Sequence, residues 1–237
     1  MLRTILNLVI PPRCICGQIV LKESQILCKN CWDKFKFSNA NCCSICSYPF
    51  DYEAFAGGIC GFCIDETPHF NLAKYFFAYD KNSAHLITSL KYSDNTAYAR
   101  TLGYLIAEKI LEFPAHIDIV TAVPIHKKRL ISRKYNHAAL IANHLARKKN
   151  IPANNLILLK TKQTEPQANL SRVRRQKNII GAIEVNPKLA ARIKGKNILL
   201  VDDVMTTGAT ANECAKVLRK AGVGQIYVLT AARTILE

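Results

Sequence analysis

Two adjacent carboxylates stand between a short apolar run and a turn rich in threonine and glycine. Asp202 and Asp203 follow the apolar residues 198–201, which predict a buried strand. At the carboxyl end of a parallel strand, two neighbouring acids can accept hydrogen bonds from two neighbouring hydroxyl groups, such as those of a ribose. The turn leads into a predicted helix over residues 210–220, where backbone N–H groups and threonine hydroxyls can hold a phosphate monoester. The predicted phosphate-binding residues are Thr206, Thr207, Gly208, Ala209 and Thr210.

A diol site beside a phosphate site suits a ribose 5-phosphate. The alternative is structural, in which case the two acids only cap the following helix. The order of apolar residues, two acids, two further residues and Thr-Thr-Gly-x-Thr resembles the phosphoribosyl pyrophosphate (PRPP) signature of type I phosphoribosyltransferases. This resemblance implies that Asp202 and Asp203 are catalytic and stabilise the positive charge that develops at C1′ of the ribose.

The cysteines point to metal binding. Nine of the 10 cysteines lie between Cys14 and Cys63, mostly as C-x-x-C pairs, and this pattern favours metal ligation in a reducing cytoplasm over an extracellular disulfide framework. Two such pairs can surround one Zn²⁺ with four thiolates, so the four pairs predict two structural zinc sites. The alternative is a loop-rich segment of reduced free cysteines. The predicted ligands are Cys14, Cys16, Cys28, Cys31, Cys43, Cys46, Cys60 and Cys63, and Cys42 is left over.

After the cysteine-rich segment, strand and helix patterns alternate, which predicts a mainly parallel α/β sheet with crossover helices. The composition changes near Pro68, and we expect domains over residues 1–69 and 70–237. A long polar loop is predicted over residues 160–178. The predicted strands cover residues 72–79, 117–123, 156–159, 198–201 and 225–230, and the predicted helices cover residues 84–92, 97–111, 136–149 and 210–220.

The charge is strongly basic and unevenly distributed. The formal net charge is +16, and residues 119–183 carry 14 lysines and arginines against the single acid Glu165. One pyrophosphate group needs far fewer cations, so this excess is either a solvated basic surface or a nucleic-acid-binding surface. No apolar run approaches the roughly 18 residues that cross a membrane, and we expect no membrane span.

Several further motifs resemble the ComF family of competence-associated, phosphoribosyltransferase-like proteins. The resemblance covers nearly the whole chain, although that family usually has Arg-Gly-Phe-Asn-Gln where this chain has Arg-Lys-Tyr-Asn-His at residues 133–137. Besides the cysteine pairs and the PRPP signature, the matching residues are Leu90, Lys91, Tyr92, Val123, Pro124, Ile125, Arg129, Arg133, Asn136, Gln167, Leu170, Ser171, Arg175 and Asn178.

The resemblance implies a double zinc ribbon followed by a Rossmann-like type I phosphoribosyltransferase domain. It also implies that Arg129 and Arg133 face the pyrophosphate of PRPP, with Mg²⁺ bridging the pyrophosphate oxygens. A flexible loop containing Gln167, Arg175 and Asn178 would close over the site. Members of this family are linked to uptake of transforming DNA, which implies single-stranded DNA and other DNA-uptake proteins as partners.

Two hypotheses about function remain open at this point. The chain is either a transferase that moves phosphoribose from PRPP to an unidentified nitrogen acceptor, or a non-catalytic, PRPP-responsive module that handles single-stranded DNA. A pyrophosphate-release assay over a panel of acceptors distinguishes them.

Overall fold

A parallel sheet lies at the centre of the protein. The computed structural model describes residues 14, 16–20, 27–55, 57–92, 97–164 and 172–235. Its strands are β1 (Leu72–Ala78), β2 (Ile119–Ala122), β3 (Leu158–Lys160), β4 (Ile183–Val185), β5 (Ile198–Met205) and β6 (Ile226–Arg233). Four of them form the main sheet in the order β1-β6-β5-β2, and all neighbouring pairs are parallel. Strands β3 and β4 form a separate antiparallel pair.

Helices connect these strands. Within the described residues they are α1 (Lys29–Asp33), α2 (Gly61–Asp65), α3 (Ala84–Tyr92), α4 (Ala97–Ala107), α5 (Lys127–Arg133), α6 (His137–Lys149), α7 (Arg172–Ile179), α8 (Ala190–Ile193) and α9 (Ala209–Lys220), with a 3₁₀ helix at Glu108–Glu112. None of the helices in this part of the chain combines the length and the apolar character that a membrane crossing requires.

The two faces of the sheet bury two separate apolar clusters. Alternate residues of a strand point to opposite faces, and accordingly Leu199 and Leu200 of β5 belong to different clusters. All eight residues of β6 are buried, because helices or other segments cover both faces of this strand. Helices α3, α4 and α6 pack on the first face, and α9 packs on the second face together with β3 and β4.

The cysteine-rich segment covers the outer edge of β1. An antiparallel bridge joins Phe37 to Phe77, and the Ala78 N–H donates to the Lys36 carbonyl at 2.7 Å. Near the start of the same strand, the Ala73 N–H donates to the Ile45 carbonyl at 2.8 Å. An uncovered strand edge has unpaired backbone N–H and C=O groups that can pair with other chains. The cysteine-rich segment forms hydrogen bonds with these groups of β1 and completes the sheet.

The cysteine-rich segment also contributes to both apolar clusters. Cys14 belongs to the cluster on the first face, whereas Cys43, Cys46, Cys60 and Cys63 belong to the cluster on the second face. The segment therefore shares its core with the sheet. The domain boundary between residues 69 and 70 stays a prediction.

The predicted parallel α/β sheet is confirmed, with local differences. Strand β5 continues through Asp202 and Asp203 to Met205, whereas the sequence predicted that the acids end the strand. Hydrogen bonding to β6 extends as far as Met205, and this pairing overrides the low strand propensity of aspartate. The predicted polar loop at residues 160–178 contains the end of β3 and most of α7, while residues 165–171, including Gln167, lie outside the described part of the chain.

Helices α4 and α6 approach closely at Gly103. A Cβ atom added there would lie 2.6 Å from the His144 Cβ and 2.8 Å from the Ile141 carbonyl oxygen. Because the second contact is with backbone, we expect Gly103→Ala to lower the free energy of unfolding by about 1–3 kcal/mol, measured by denaturant titration with zinc present. Gly61→Ala, where no atom lies within 4 Å, is the control. Equal stabilities for Gly103→Ala and the parent protein would contradict this packing.

Candidate functional site

The loop after β5 has the geometry of an anion cradle. It connects Met205 to the start of α9 and contains Gly208 with a φ of +79°, a left-handed conformation that favours glycine. The N-cap residue Gly208 has no side chain to cap α9, although Thr207 Oγ1 accepts from the Ala209 N–H at 3.4 Å, and the first turn of α9 has no acidic residue. The positive end of the helix dipole therefore faces the loop without a neutralising carboxylate from that turn. The predicted residues Thr206, Thr207, Gly208, Ala209 and Thr210 are all half-buried here.

Asp202 and Asp203 are held on β5 directly ahead of this loop. The Asp203 N–H donates to Asp202 Oδ1 at 2.9 Å, and the Val204 N–H donates to Asp203 Oδ1 at 2.7 Å. Each bond ties a carboxylate to the backbone N–H that follows it, which limits side-chain rotation. The structure thus brings the two acids and the loop together, as the sequence predicted.

The predicted arginines, Arg129 and Arg133, lie on the helix that follows the carboxyl end of β2. Helix α5 follows β2 after a short connection and ends at Arg133, and Lys134 at its C-cap has a φ of +64°. This is the left-handed conformation that the glycine in the usual family pattern favours. Asn136 fixes the next turn, because its Nδ2 donates to the Val123 carbonyl at 2.9 Å and its Oδ1 accepts from the Ala138 N–H. Since β2 pairs with β5, α5 lies at the same edge of the sheet as the acids.

Lys160 is a candidate site residue that the sequence analysis does not include. Burial, followed by repulsion from Arg129, lowers the pKa of the Lys160 ammonium, and Asp202 acts in the opposite direction. The charges of Arg129 and Asp202 therefore both act on Lys160. The signal in the sequence was a lysine directly after the apolar run at residues 156–159, but we assigned Lys160 to a loop. The described contacts give no comparable link between Arg133 and the two acids.

Helix α7 contains Arg175 and Asn178 of the predicted flexible loop. Asn178 is half-buried, and the side chain of Arg175 is outside the described part of the structure, as is Gln167. The end of α7 is connected to α9, since the Gly181 N–H donates to Glu213 Oε1 at 2.9 Å. The role of these three residues stays a prediction.

The eight predicted metal ligands form two tetrads. The first tetrad consists of Cys14, Cys16, Cys28 and Cys31, and the second of Cys43, Cys46, Cys60 and Cys63. Within each tetrad the sulfur atoms lie within 4.8 Å of one another. Sulfur pairs are 3.6 Å apart at Cys16–Cys28 and at Cys46–Cys60, and tetrahedral Zn–S bonds of about 2.3 Å imply a separation of about 3.8 Å. The donor geometry therefore fits zinc, and it includes the short Cys14–Cys16 pair.

Crowding of the thiols also favours a cation. A hydrogen bond with Cys43 raises the pKa of the Cys46 thiol to about 12, and hydrogen bonds with Cys43 and Cys46 raise the pKa of Cys63. In the first tetrad, burial raises the pKa of Cys31. Four thiolates at these distances repel one another, and a divalent cation removes that repulsion because a coordinated thiol is deprotonated.

Comparison with known families supports both halves of this arrangement. The double zinc ribbon domain family matches residues 5–65, and the phosphoribosyl transferase domain family matches residues 135–234. Competence protein F from Haemophilus influenzae is 30% identical over 215 residues, which cover 87% of this chain and 90% of that protein. This chain belongs to the Competence protein F family. The predicted membership of the ComF family is therefore confirmed, together with the zinc ribbon and the type I phosphoribosyltransferase fold.

The chain is also similar to proteins with other names. DNA utilization protein YhgH from Escherichia coli is 27% identical over 184 residues, covering 74% of this chain and 78% of that protein. A ribose-phosphate pyrophosphokinase from Thermococcus kodakarensis is 46% identical over 46 residues, which are 19% of this chain and 16% of that protein. Among solved structures, a glutamine PRPP amidotransferase from B. subtilis aligns with a TM-score of 0.43 and 18% identity, covering 61% of this chain and 30% of that one.

We expect two zinc ions per chain, one in each tetrad, because each tetrad provides four sulfur ligands. Elemental analysis of protein purified without added metal measures this number, and a strong chelator should remove both ions and unfold the ribbon. Cys60→Ser should lower the content to one zinc. Cys42→Ser is the matched control and should keep two, because Cys42 lies outside both tetrads. A parent protein with a single zinc, or a loss of zinc in the control, would contradict the assignment.

Proposed function

We propose that this protein binds PRPP with Mg²⁺ in the cytoplasm and transfers its phosphoribosyl group to a nitrogen acceptor. The observation that carries the proposal is the position of Asp202 and Asp203 on β5, directly ahead of a loop that leads into the start of α9. This arrangement offers acceptors for a diol and donors for a phosphate on neighbouring residues, as a ribose 5-phosphate requires. The reducing cytoplasm keeps the cysteine tetrads available for metal.

Each part of the ligand has a partner in the proposed complex. Asp202 and Asp203 accept hydrogen bonds from the ribose hydroxyls, and the backbone N–H groups and hydroxyls of residues 206–210 hold the 5-phosphate. Arg129 and Lys160 supply positive charge for the pyrophosphate from the β2 side of the acids, and the proposal extends this role to Arg133. Carboxylate and phosphate oxygens are hard ligands that suit Mg²⁺, which would neutralise the leaving pyrophosphate when bound.

The reaction is a substitution at C1′ of the ribose. The nitrogen lone pair of the acceptor forms the new bond to C1′, while the bond from C1′ to the pyrophosphate oxygen breaks and its electron pair leaves with pyrophosphate. The proton of the acceptor nitrogen passes to solvent. Positive charge develops on the ribose in the transition state, and the fixed carboxylates of Asp202 and Asp203 stabilise it.

PRPP binding should depend on the charge of Asp203. A hydrogen bond to a charged acceptor contributes about 1.5–3 kcal/mol, so Asp203→Asn should weaken PRPP binding about tenfold to a hundredfold in calorimetry with Mg²⁺. Asparagine retains an oxygen for the Val204 N–H, and the fold should therefore be preserved. Asp51→Asn, at an exposed residue of the ribbon, should bind like the parent. Equal affinities of Asp203→Asn and the parent would refute the diol assignment.

A second function, binding of single-stranded DNA, is supported by the distribution of exposed charge. Lys127, Lys128 and Lys134 are exposed on and beside α5, and relatives are named for DNA utilization. The cations at the end of α6 lie elsewhere, because the Val120 N–H near the start of β2 donates to the carbonyl of Pro152, just beyond α6. There Lys149 pairs with Glu108 at 3.0 Å. We therefore assign the DNA-binding surface to α5, with other DNA-uptake proteins as further proposed partners.

DNA binding at α5 should weaken with salt. Each phosphate contact contributes a log–log slope of about −0.7 for single strands, so four to six contacts give roughly −3 to −4. The double variant Lys127→Glu with Lys128→Glu should flatten the slope by about 1.4, measured by fluorescence anisotropy of a labelled single strand. The matched control, Arg147→Glu with Lys148→Glu, makes the same charge change at the opposite end of the sheet. Equal flattening by both pairs, or no binding by the parent at low salt, would exclude this surface.

A further inference from the structure

Arg233, at the end of β6, is a buried arginine joined to the cysteine-rich segment. Its side chain is 4% exposed. Nη1 donates to the Cys46 carbonyl at 2.7 Å, Nη2 lies 3.6 Å from Cys46 Sγ, and the guanidinium lies over the Tyr48 ring at 5.3 Å. Cys46 is a member of the second tetrad, so Arg233 connects the transferase sheet directly to that tetrad.

The charge of Arg233 requires compensation. No carboxylate pairs with Arg233 among the ion pairs of the described residues, and a buried unpaired charge is costly. Four thiolates around one Zn²⁺ carry a net charge of about −2. The donor set of the second tetrad therefore provides the negative charge that a buried guanidinium needs at this position.

The backbone of the same segment supports the anion-cradle loop. Arg233 is the register partner of Met205 at the end of β5, and the Thr234 N–H donates to the Met205 carbonyl at 3.0 Å. Met205 immediately precedes Thr206, the first residue of the loop. The end of β6 is thus bonded to the second tetrad through a side chain and to the start of the loop through the backbone.

The second tetrad and the loop also face the same cleft. The cleft has a volume of about 60 Å³ and is lined by Cys46, Cys63 and Glu66 on the ribbon side, by residues 206–209 on the loop side, and by Arg233. A phosphate held by the loop would therefore lie close to the net negative charge of the metal-bound tetrad. Such like charges repel, and the guanidinium of Arg233, which lines the same cleft, reduces that repulsion.

We propose that Arg233 is a positioning residue that couples the second cysteine tetrad to the phosphate loop. Its side chain offsets the charge of the tetrad, and its backbone fixes the start of the loop. The first tetrad has no such role, because it packs in the cluster on the other face of the sheet. The ligand in this proposal is PRPP, so that part rests on the proposed function, whereas the ordering of the loop does not.

The test compares Arg233→Gln and Arg233→Lys in the full-length, zinc-loaded protein. Arg219→Gln is the matched control, since the Arg219 Nε also joins the transferase domain to the segment after the ribbon, at the His69 carbonyl at 2.7 Å, but contacts no cysteine. The measurements are zinc content, hydrogen exchange of the amides at residues 205–210, and PRPP affinity at several salt concentrations. Hydrogen exchange needs no ligand, so the coupling is tested even if PRPP does not bind.

We expect Arg233→Gln to accelerate exchange in the loop and to weaken PRPP binding about tenfold or more, with the larger loss at low salt because salt screens the repulsion. Arg233→Lys should recover part of the affinity because it keeps the charge, and Arg219→Gln should match the parent.

A merely structural role would predict equal losses for lysine and glutamine and no salt dependence. Unchanged loop exchange in Arg233→Gln would overturn the proposal. A parent protein that does not bind PRPP would refute the proposed function alone. If Arg233→Gln does not fold, the loop exchange of Arg233→Lys decides. Exchange faster than in Arg219→Gln supports the coupling, and equal exchange overturns it.

Discussion

The outer edge of β1 requires a hydrogen-bonding partner, and the ribbon provides it. Residues 36–38 pair near one end of the strand, through the Lys36 carbonyl and the Ser38 N–H, and Ile45 bonds near the other end. Aromatic rings reinforce the contact, with Phe35 and Phe77 centroids 5.1 Å apart. Because the ribbon completes the sheet and also shares both apolar clusters, the metal sites and the transferase sheet stabilise each other.

The carboxyl edge of the sheet explains why distant parts of the chain can act on one ligand. Parallel strands deliver their following residues to one edge, so the acids of β5 meet α5, which follows β2. Lys160 arrives by a different route, from the antiparallel β3–β4 pair on the second face of the sheet. The charges of the main sheet and of the smaller one therefore influence each other at this edge.

Much of the fold was predictable from local patterns. The helix at Ala84–Tyr92 and the strands around the acids follow apolar periodicity, and the Thr-Thr-Gly turn depends on local backbone preferences. The eight cysteine ligands and the number of metal sites also followed from the C-x-x-C pattern, whereas which pairs share a site required the structure. The position of Lys160 and the burial of Arg233 were not predictable, because both depend on contacts between segments far apart in the sequence. Arg233 ends a strand that is mostly apolar, and its contacts with Cys46, 187 residues away, and with the Tyr48 ring explain an arginine there.

Lys134 has a backbone conformation that is unfavourable for a residue other than glycine, and its side chain adds a positive charge to the turn. A residue other than glycine with a φ of +64° stores strain of about 1 kcal/mol or more, and the preceding Arg133 and following Asn136 hold it in that conformation by ending one helix and capping the next. The turn therefore has the ammonium group of Lys134 at a position where the usual family pattern has glycine. The turn between α5 and α6 therefore carries two adjacent cations, Arg133 and Lys134, where the usual family pattern has an arginine followed by glycine.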